Sequence, residues 1–187
     1  LSIGSLLVVT GPPGAGKSTV ARRVADMFDP SVLVAGDAFF AFLARGAIPP
    51  WLPEADAQNA VTIEAAAAAA GRFARGGFAT VYDGVVGPWF VPTFARACDT
   101  ESFDYVILMP SVECCVERVQ TRLDHGFSDE GATRKMHHEF ASASIDARHL
   151  LVDPPDDIDE VAHLILARRA TGALTVPVSL DPPHSVE

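Results

Sequence analysis

The sequence predicts an α/β fold, a five-stranded parallel sheet sandwiched between two layers of helices and closed by a short lid. Three observations predict it. Short β-rich runs alternate with longer helical stretches along the chain, the pattern that builds a parallel sheet covered on both faces. The first run, Ser5–Thr10 (SLLVVT), is apolar without alternation, as a strand buried on both faces must be. The chain has 187 residues, 49% hydrophobic and 20% charged, which suits one globular domain with its own core.

After Ser5–Thr10, Lys17–Phe28 reads as a helix with Val20, Val24 and Phe28 on one face. Val32–Ala35 is the second strand and Ala38–Ala44 a short helical stretch. Gly46–Pro53 (GAIPPWLP) is a breaker-rich loop. From Glu54 to about Arg75 the chain is alanine-dense, so high helix propensity makes one long helix, ended by Gly76-Gly77. The run Ala65–Ala70 reads as helix filler. Phe78–Tyr82 is the third strand, terminating at Asp83-Gly84, and Phe103–Met109 is the fourth. Val112–Leu123 is helical, with an insert at His125–Gly131 that marks the lid, about residues 124–134. Ala132–Ser144 is helical again and His149–Val152 is the fifth strand. Pro155 or Asp157 starts a last helix, Ile158–Ala170. The domain is thus expected over 1–170. Residues 171–187, with three prolines and no periodicity, read as an extended or disordered tail.

A formal net charge of −10 disfavours nucleic acid and anionic membranes as partners, since both want a basic face. No apolar run reaches transmembrane length. Leu1–Thr10 lacks a basic flank and leads into a glycine loop, so it reads as a strand rather than a signal peptide. Cys98, Cys114 and Cys115 are odd in number, two are adjacent and no C-x-x-C spacing occurs. That argues against a disulfide framework or zinc site and for a reducing cytoplasm.

Gly11-Pro12-Pro13-Gly14-Ala15-Gly16-Lys17-Ser18 satisfies G-x-x-x-x-G-K-[ST], between an apolar strand and an amphipathic helix. Such a loop converges backbone N–H groups, and the positive end of the following helix, on phosphate oxygens. Lys17 is expected to reach the β and γ phosphates of ATP, Ser18 to ligate Mg²⁺ and Thr19 to meet the α phosphate. A glycine turn that binds nothing is the bland alternative.

Asp37 lies at the carboxyl end of the second strand, the edge that faces the ligand crevice in an open α/β sheet. There it is a candidate base for an acceptor hydroxyl, or a substrate-orienting group. Its bland alternative is to cap the helix Ala38–Ala44. Asp83 ends the third strand and is a candidate for Mg²⁺ or the acceptor, against a simple Asp-Gly turn. Phe40, Trp89 and Phe90 are candidate acceptor walls. Arg118 and Arg122 share a helix face, and Arg122 and Arg134 flank the insert, where a closing lid supplies cations to a transferring phosphoryl group. Ion pairing of these arginines with Glu113, Glu117 or Asp129 is the alternative. His125, His137 and His138 read as lid or helix-surface residues, not a metal site. Arg148, His149 and Asp153-Pro154-Pro155 bracket the fifth strand, the region expected to border the adenine.

With these residues in place, the chain resembles the small-molecule and nucleoside-monophosphate kinase branch of P-loop proteins, over about residues 5–170. Gly11–Thr19 is similar to the adenylate kinase loop, and Asp83-Gly84 to the Asp-Gly of those enzymes. Gly36-Asp37 resembles the strand-end Gly-Asp of adenylylsulfate and gluconate kinases, and Asp37 takes the place of the catalytic carboxylate of chloramphenicol phosphotransferase. There are departures. Adenylate kinases continue with Phe-Pro-Arg where Val85-Val86-Gly87 stands here, and their lid is richer in arginine. His125-Gly126-Phe127 only loosely matches the lid of gluconate kinases. The pattern looks most like bacterial kinases grouped near shikimate, gluconate and chloramphenicol kinases. The resemblance implies the strand order 2-3-1-4-5 and transfer of the γ-phosphate of ATP to a hydroxyl of a small molecule, an antibiotic or a metabolite. Asp37 would act as base, Lys17 and Arg122 would neutralise charge, and Arg118 would join the nucleotide site. A nucleotide or nucleoside monophosphate kinase, and a nucleotide-binding module without catalysis, are the alternatives. Neither the acceptor nor the oligomeric state is readable.

Overall fold

A computed structural model describes residues 4–121 and 128–178. Its order is β1 (Leu6–Thr10), α1 (Lys17–Ala25), β2 (Ser31–Ala35), α2 (Asp37–Phe40), α3 (Asp56–Arg75), β3 (Ala79–Asp83), α4 (Val91–Cys98), β4 (Ser102–Met109), α5 (Val112–Thr121), α6 (Glu130–Ser142), β5 (Leu150–Val152), α7 (Ile158–Ala170) and β6 (Thr175–Pro177). The strands β2-β3-β1-β4-β5 lie side by side, all parallel, in the expected order. β6 adds an antiparallel strand along residues 102–104 of β4, below the stretch 107–109 that pairs with β5.

The period-2 geometry of a strand sends alternate side chains to opposite faces, and β1 shows the consequence. Leu6 and Val8 enter a core built with α3, α4 and α6, around Ile63, Phe94 and Phe140. Leu7 and Val9 enter a second core built with α1 and α7, around Val24, Val161 and Ile165. All five residues of β1 are buried, which is why its sequence carries no polar alternation.

The alanines of α3 are more than filler. Ala66, Ala67, Ala70 and Ala74 are buried, and a methyl group on Gly71 would lie 1.7 Å from the Cys98 carbonyl oxygen. Small side chains on one stripe let α4 approach to backbone contact, and Arg75 then caps its end by donating to the Cys98 and Asp99 carbonyls at 2.7 and 2.6 Å.

Four expectations need correction. Helix α4 was not among the expected elements; its region carries Pro88 and Pro92, and both sit in first turns, where proline costs no hydrogen bond. The helix expected over 38–44 is only Asp37–Phe40. Residues 130–134 of the expected lid are the first turns of α6, capped by the Asp129 carboxylate accepting from the Ala132 N–H at 2.9 Å; residues 124–127 lie outside the described residues. The stretch after 170 is not merely a tail. Leu174 is fully buried and 175–177 pair with β4, while 179–187 lie outside the described residues. Among the described residues no helix is long and apolar enough to cross a membrane.

Candidate functional site

The loop between β1 and α1 follows from its glycines. Gly14 has φ +78°, and a side chain there would meet the Cys115 carbonyl oxygen at 2.2 Å. Only glycine allows the loop both that conformation and that approach to α5. Lys17, the first residue of α1, is 8% exposed and its ammonium donates to the Pro12 carbonyl at 3.0 Å. Ser18 and Thr19 are exposed beside it.

This loop opens into a cleft of about 770 Å³, within the roughly 300–1,000 Å³ range of small-molecule sites. Pro13–Val20 line its floor. Because β1 is the central strand, the ends of β2 and β3 lie to one side of the loop and the end of β5 to the other. The first side contributes Asp37, Phe40, Val85, Trp89 and Phe90, joined by Asp56, Asn59 and Ile63 of α3 and by the segment Pro50–Pro53. The second contributes Pro154, Pro155 and Asp156. Ala132, Lys135, Met136 and Glu139, on one face of α6, close the cleft.

Backbone and buried hydrogen bonds hold these pieces. Gly36 N–H donates to the Asp83 carbonyl at 2.7 Å, fixing the end of β2 against that of β3 one residue before Asp37. Gly36, not Asp37, occupies the N-cap position of α2, so the capping alternative for Asp37 is set aside, and its exposed side chain borders the cleft. Thr10 Oγ1 accepts from the Val86 N–H at 2.9 Å and donates to the Val86 carbonyl at 3.2 Å, and the Tyr105 hydroxyl donates to the same carbonyl at 2.7 Å. The Trp89 segment is thereby anchored to β1 and β4, and the Trp89 ring packs at a 57° tilt against Phe140 of α6, the ring centres 5.3 Å apart.

Charge is distributed accordingly. Burial pushes the Tyr82 phenol well above its ordinary range, and the charges of Asp37 and Asp83 push it further; both carboxylates therefore act on one ring at the end of β3. Burial also raises the Cys115 thiol to about 11, with Cys114 adding and Lys17 and Arg118 opposing. That places two cations around the loop.

The expected residues distribute unevenly. Lys17, Ser18, Thr19, Asp37, Phe40, Trp89 and Arg118 share the cleft. Gly11 and Pro12 lie behind it, Pro12 holding Lys17. Arg118 faces Asp156 across 3.9 Å, a partner other than the Glu113, Glu117 or Asp129 of the ion-pairing alternative. Asp83 is 9% exposed and lies behind the cleft lining, so its placement does not support a direct acceptor contact. Arg134 pairs with Glu130 at 2.8 Å and Glu113 at 3.7 Å, the surface alternative. His137 bonds the Pro110 carbonyl and His138 meets Ser142; among the described residues no cluster of three His, Cys, Asp or Glu could hold a metal. His149 is buried on the Tyr105 carbonyl and Arg148 pairs with Asp146, so of the region expected to border adenine only Pro154 and Pro155 line the cleft. Arg122 and His125 lie outside the described residues.

Residues not anticipated are Trp51, Leu52, Asn59, Lys135 and Met136. Asn59 is 7% exposed; its amide donates to the Pro50 carbonyl at 2.7 Å, and its Oδ1 has no hydrogen-bond partner among the described residues. A buried carbonyl left in that state costs about 1–3 kcal/mol. The available signal was a tryptophan between prolines in a loop of the ligand edge.

A family model described as an AAA domain matches residues 6–144, the span from β1 through α6 that carries the loop, Asp37 and most of the cleft wall. The chain belongs to the AAA_33 family of AAA domains. Among curated proteins none matches this AAA_33 sequence. Its fold is similar to that of a sugar kinase from Janibacter sp. HTCC2649, at 19% identity over 89% of this chain and 94% of that one, TM-score 0.66. It is also similar to a gluconokinase from Sinorhizobium meliloti 1021, at 20% identity over 92% and 95%, TM-score 0.64. A third similar structure is the tunicamycin resistance protein of Deinococcus radiodurans, at 14% identity over 96% and 99%, TM-score 0.66. At such identities the likeness concerns the fold, which is that of P-loop kinases. Fold likeness does not carry a substrate.

Proposed function

We propose that this AAA_33 chain is an ATP-dependent kinase that moves the γ-phosphoryl group of ATP to a hydroxyl of a small molecule. The observation that carries the reading is the meeting in one cleft of the Lys17–Thr19 loop and the Asp37 carboxylate. In phosphoryl transfer most of the catalysis is positioning and charge stabilisation. The loop N–H groups and Lys17 would hold the phosphates, and Asp37 would take the proton of the acceptor hydroxyl as its oxygen attacks the γ-phosphorus and ADP departs. Arg118, beside Gly16, is the described cation suited to the developing phosphate charge.

The donor set at the loop fits Mg²⁺: the exposed Ser18 hydroxyl and the Asp83 carboxylate at the neighbouring strand end are hard oxygen ligands, and Mg²⁺ on phosphates takes only one or two protein ligands. When bound it would neutralise phosphate charge; Ser18 would ligate it and Asp83 would hold its water.

Incubation with ATP, Mg²⁺ and a panel of hydroxyl compounds tests the proposal. Acceptor-dependent ADP release with a phosphorylated product is expected. Tight ATP binding with no acceptor raising ADP release would point instead to a nucleotide-binding module.

A further inference from the structure

We infer that the acceptor is a neutral or cationic alcohol with an aromatic or branched apolar body, not a sugar acid or another carboxylate; the inference rests on the phosphotransfer reading above. Three observations carry it. Beyond the phosphate loop the cleft is walled by Phe40, Trp51, Leu52, Ile63, Trp89 and Met136. Trp51, Leu52 and Trp89 keep 37%, 40% and 42% of their surface exposed, apolar area that a polar polyol would leave unsatisfied and an apolar body would cover.

That wall is held in place rather than loose. The Gln58 side chain both accepts from the Ile48 N–H and donates to the Ile48 carbonyl, each at 2.8 Å, and Asn59 holds the Pro50 carbonyl. The segment carrying Trp51 and Leu52 is therefore clamped to the start of α3.

The charge of the wall has the wrong sign for an anion. Its described ionisable side chains are Asp37, Asp56, Glu139 and Lys135, and Lys135 already faces Glu139 at 3.8 Å. Lys17 and Arg118, the other described cations bordering the cleft, lie at the phosphate loop, Arg118 turned to Asp156. An acceptor carboxylate would lose water and meet like charge. An ammonium would meet Asp56 instead. Asn59 Oδ1 adds a carbonyl on this wall that asks for an N–H or O–H donor.

Four probes test the inference by saturation-transfer NMR on the full chain with MgADP, a readout that needs no turnover: 2-amino-3-phenylpropan-1-ol as cation, 3-phenylpropane-1,2-diol as neutral alcohol, 3-phenyllactate as aromatic anion and gluconate as polar anion. The first two are expected to bind at least about ten-fold more tightly than the last two. Asp56→Lys, at an exposed position, should narrow the preference for the amine over phenyllactate. Leu52→Asn, in the clamped loop, should weaken both aromatic alcohols by removing apolar wall without adding charge. Phenyllactate or gluconate binding as tightly as the amine, or no binding by either aromatic alcohol, overturns the inference. Gluconate phosphorylation would overturn it while upholding phosphoryl transfer. Binding of the aromatic alcohols with no transfer of phosphate to any acceptor would uphold the ligand class and overturn the kinase reading.

Discussion

The Lys17 ammonium donates to the Pro12 carbonyl oxygen 3.0 Å away, across its own loop. The lysine is thus nine-tenths buried with its charge centred over the loop backbone, where a low local dielectric strengthens its attraction for phosphate. Lys17→Ala is expected to lower acceptor-dependent turnover by about 10²–10³-fold, read as ADP release at saturating acceptor. Activity near that of the parent would remove Lys17 from the reaction.

Thr10→Val tests how the Trp89 segment is held. Valine keeps the shape of threonine but removes both bonds to Val86. The Val86 carbonyl retains the Tyr105 hydroxyl, whereas its N–H, on a residue with no exposure, keeps no described partner. The expected loss is about 1–3 kcal/mol, measured as a lowered urea midpoint at unchanged slope.

For Gly71→Ala two effects have opposite sign. Glycine to alanine inside a helix ordinarily stabilises by about 1 kcal/mol. Here the added methyl would lie 1.7 Å from the Cys98 carbonyl, and separating two helices in a packed core costs about 1–3 kcal/mol or more. The clash should win, so thermal melting should show a lower midpoint for the variant. A rise would mean that α3 and α4 are not in such close contact.

Arg23 at the end of α1 bonds Asp159 in the first turn of α7. That hydrogen bond, with the positive charge behind it, holds the Asp159 carboxyl below its ordinary value of 3.8. A folded-state pKa lower than the unfolded one gives stability that is present above the unfolded value and lost as pH falls through the folded one. The Tm difference between the parent and Asp159→Asn is therefore expected to be constant above about pH 5 and to close under more acid conditions. A difference independent of pH down to 3 would show that the ion pair contributes nothing.

Strand type and the glycine loop after β1 were legible because each depends on local pattern, an unbroken apolar run or a glycine spacing, whereas the strand order followed from the family resemblance that those patterns carry. The place of Asp37 at the cleft was legible because a carboxylate directly follows the second strand. The errors fall where tertiary context decides. Pro88 and Pro92 start helical turns because their missing N–H groups fall at positions with no intrahelical acceptor. Pro177 ends a three-residue strand that exists only because residues 102–104 of β4 extend beyond β5. Asp83 has the right position for the cleft but is buried behind its lining. Lys135 and Met136 line the cleft while Arg134 turns away to Glu130 and Glu113, a matter of which α6 face meets Trp89. Asn59 was hidden in an ordinary helix start; its significance arises only once Pro50–Pro53 folds over it.

The central claim, that Asp37 serves phosphoryl transfer in a cleft whose loop holds ATP, is tested most directly by comparing the parent with Asp37→Asn on one phosphorylated acceptor. Transfer from γ-labelled ATP into the isolated product should fall by about 10²–10⁴-fold, while ATP affinity by calorimetry stays unchanged. Undiminished transfer by the variant, or a matching loss of ATP affinity, would contradict it.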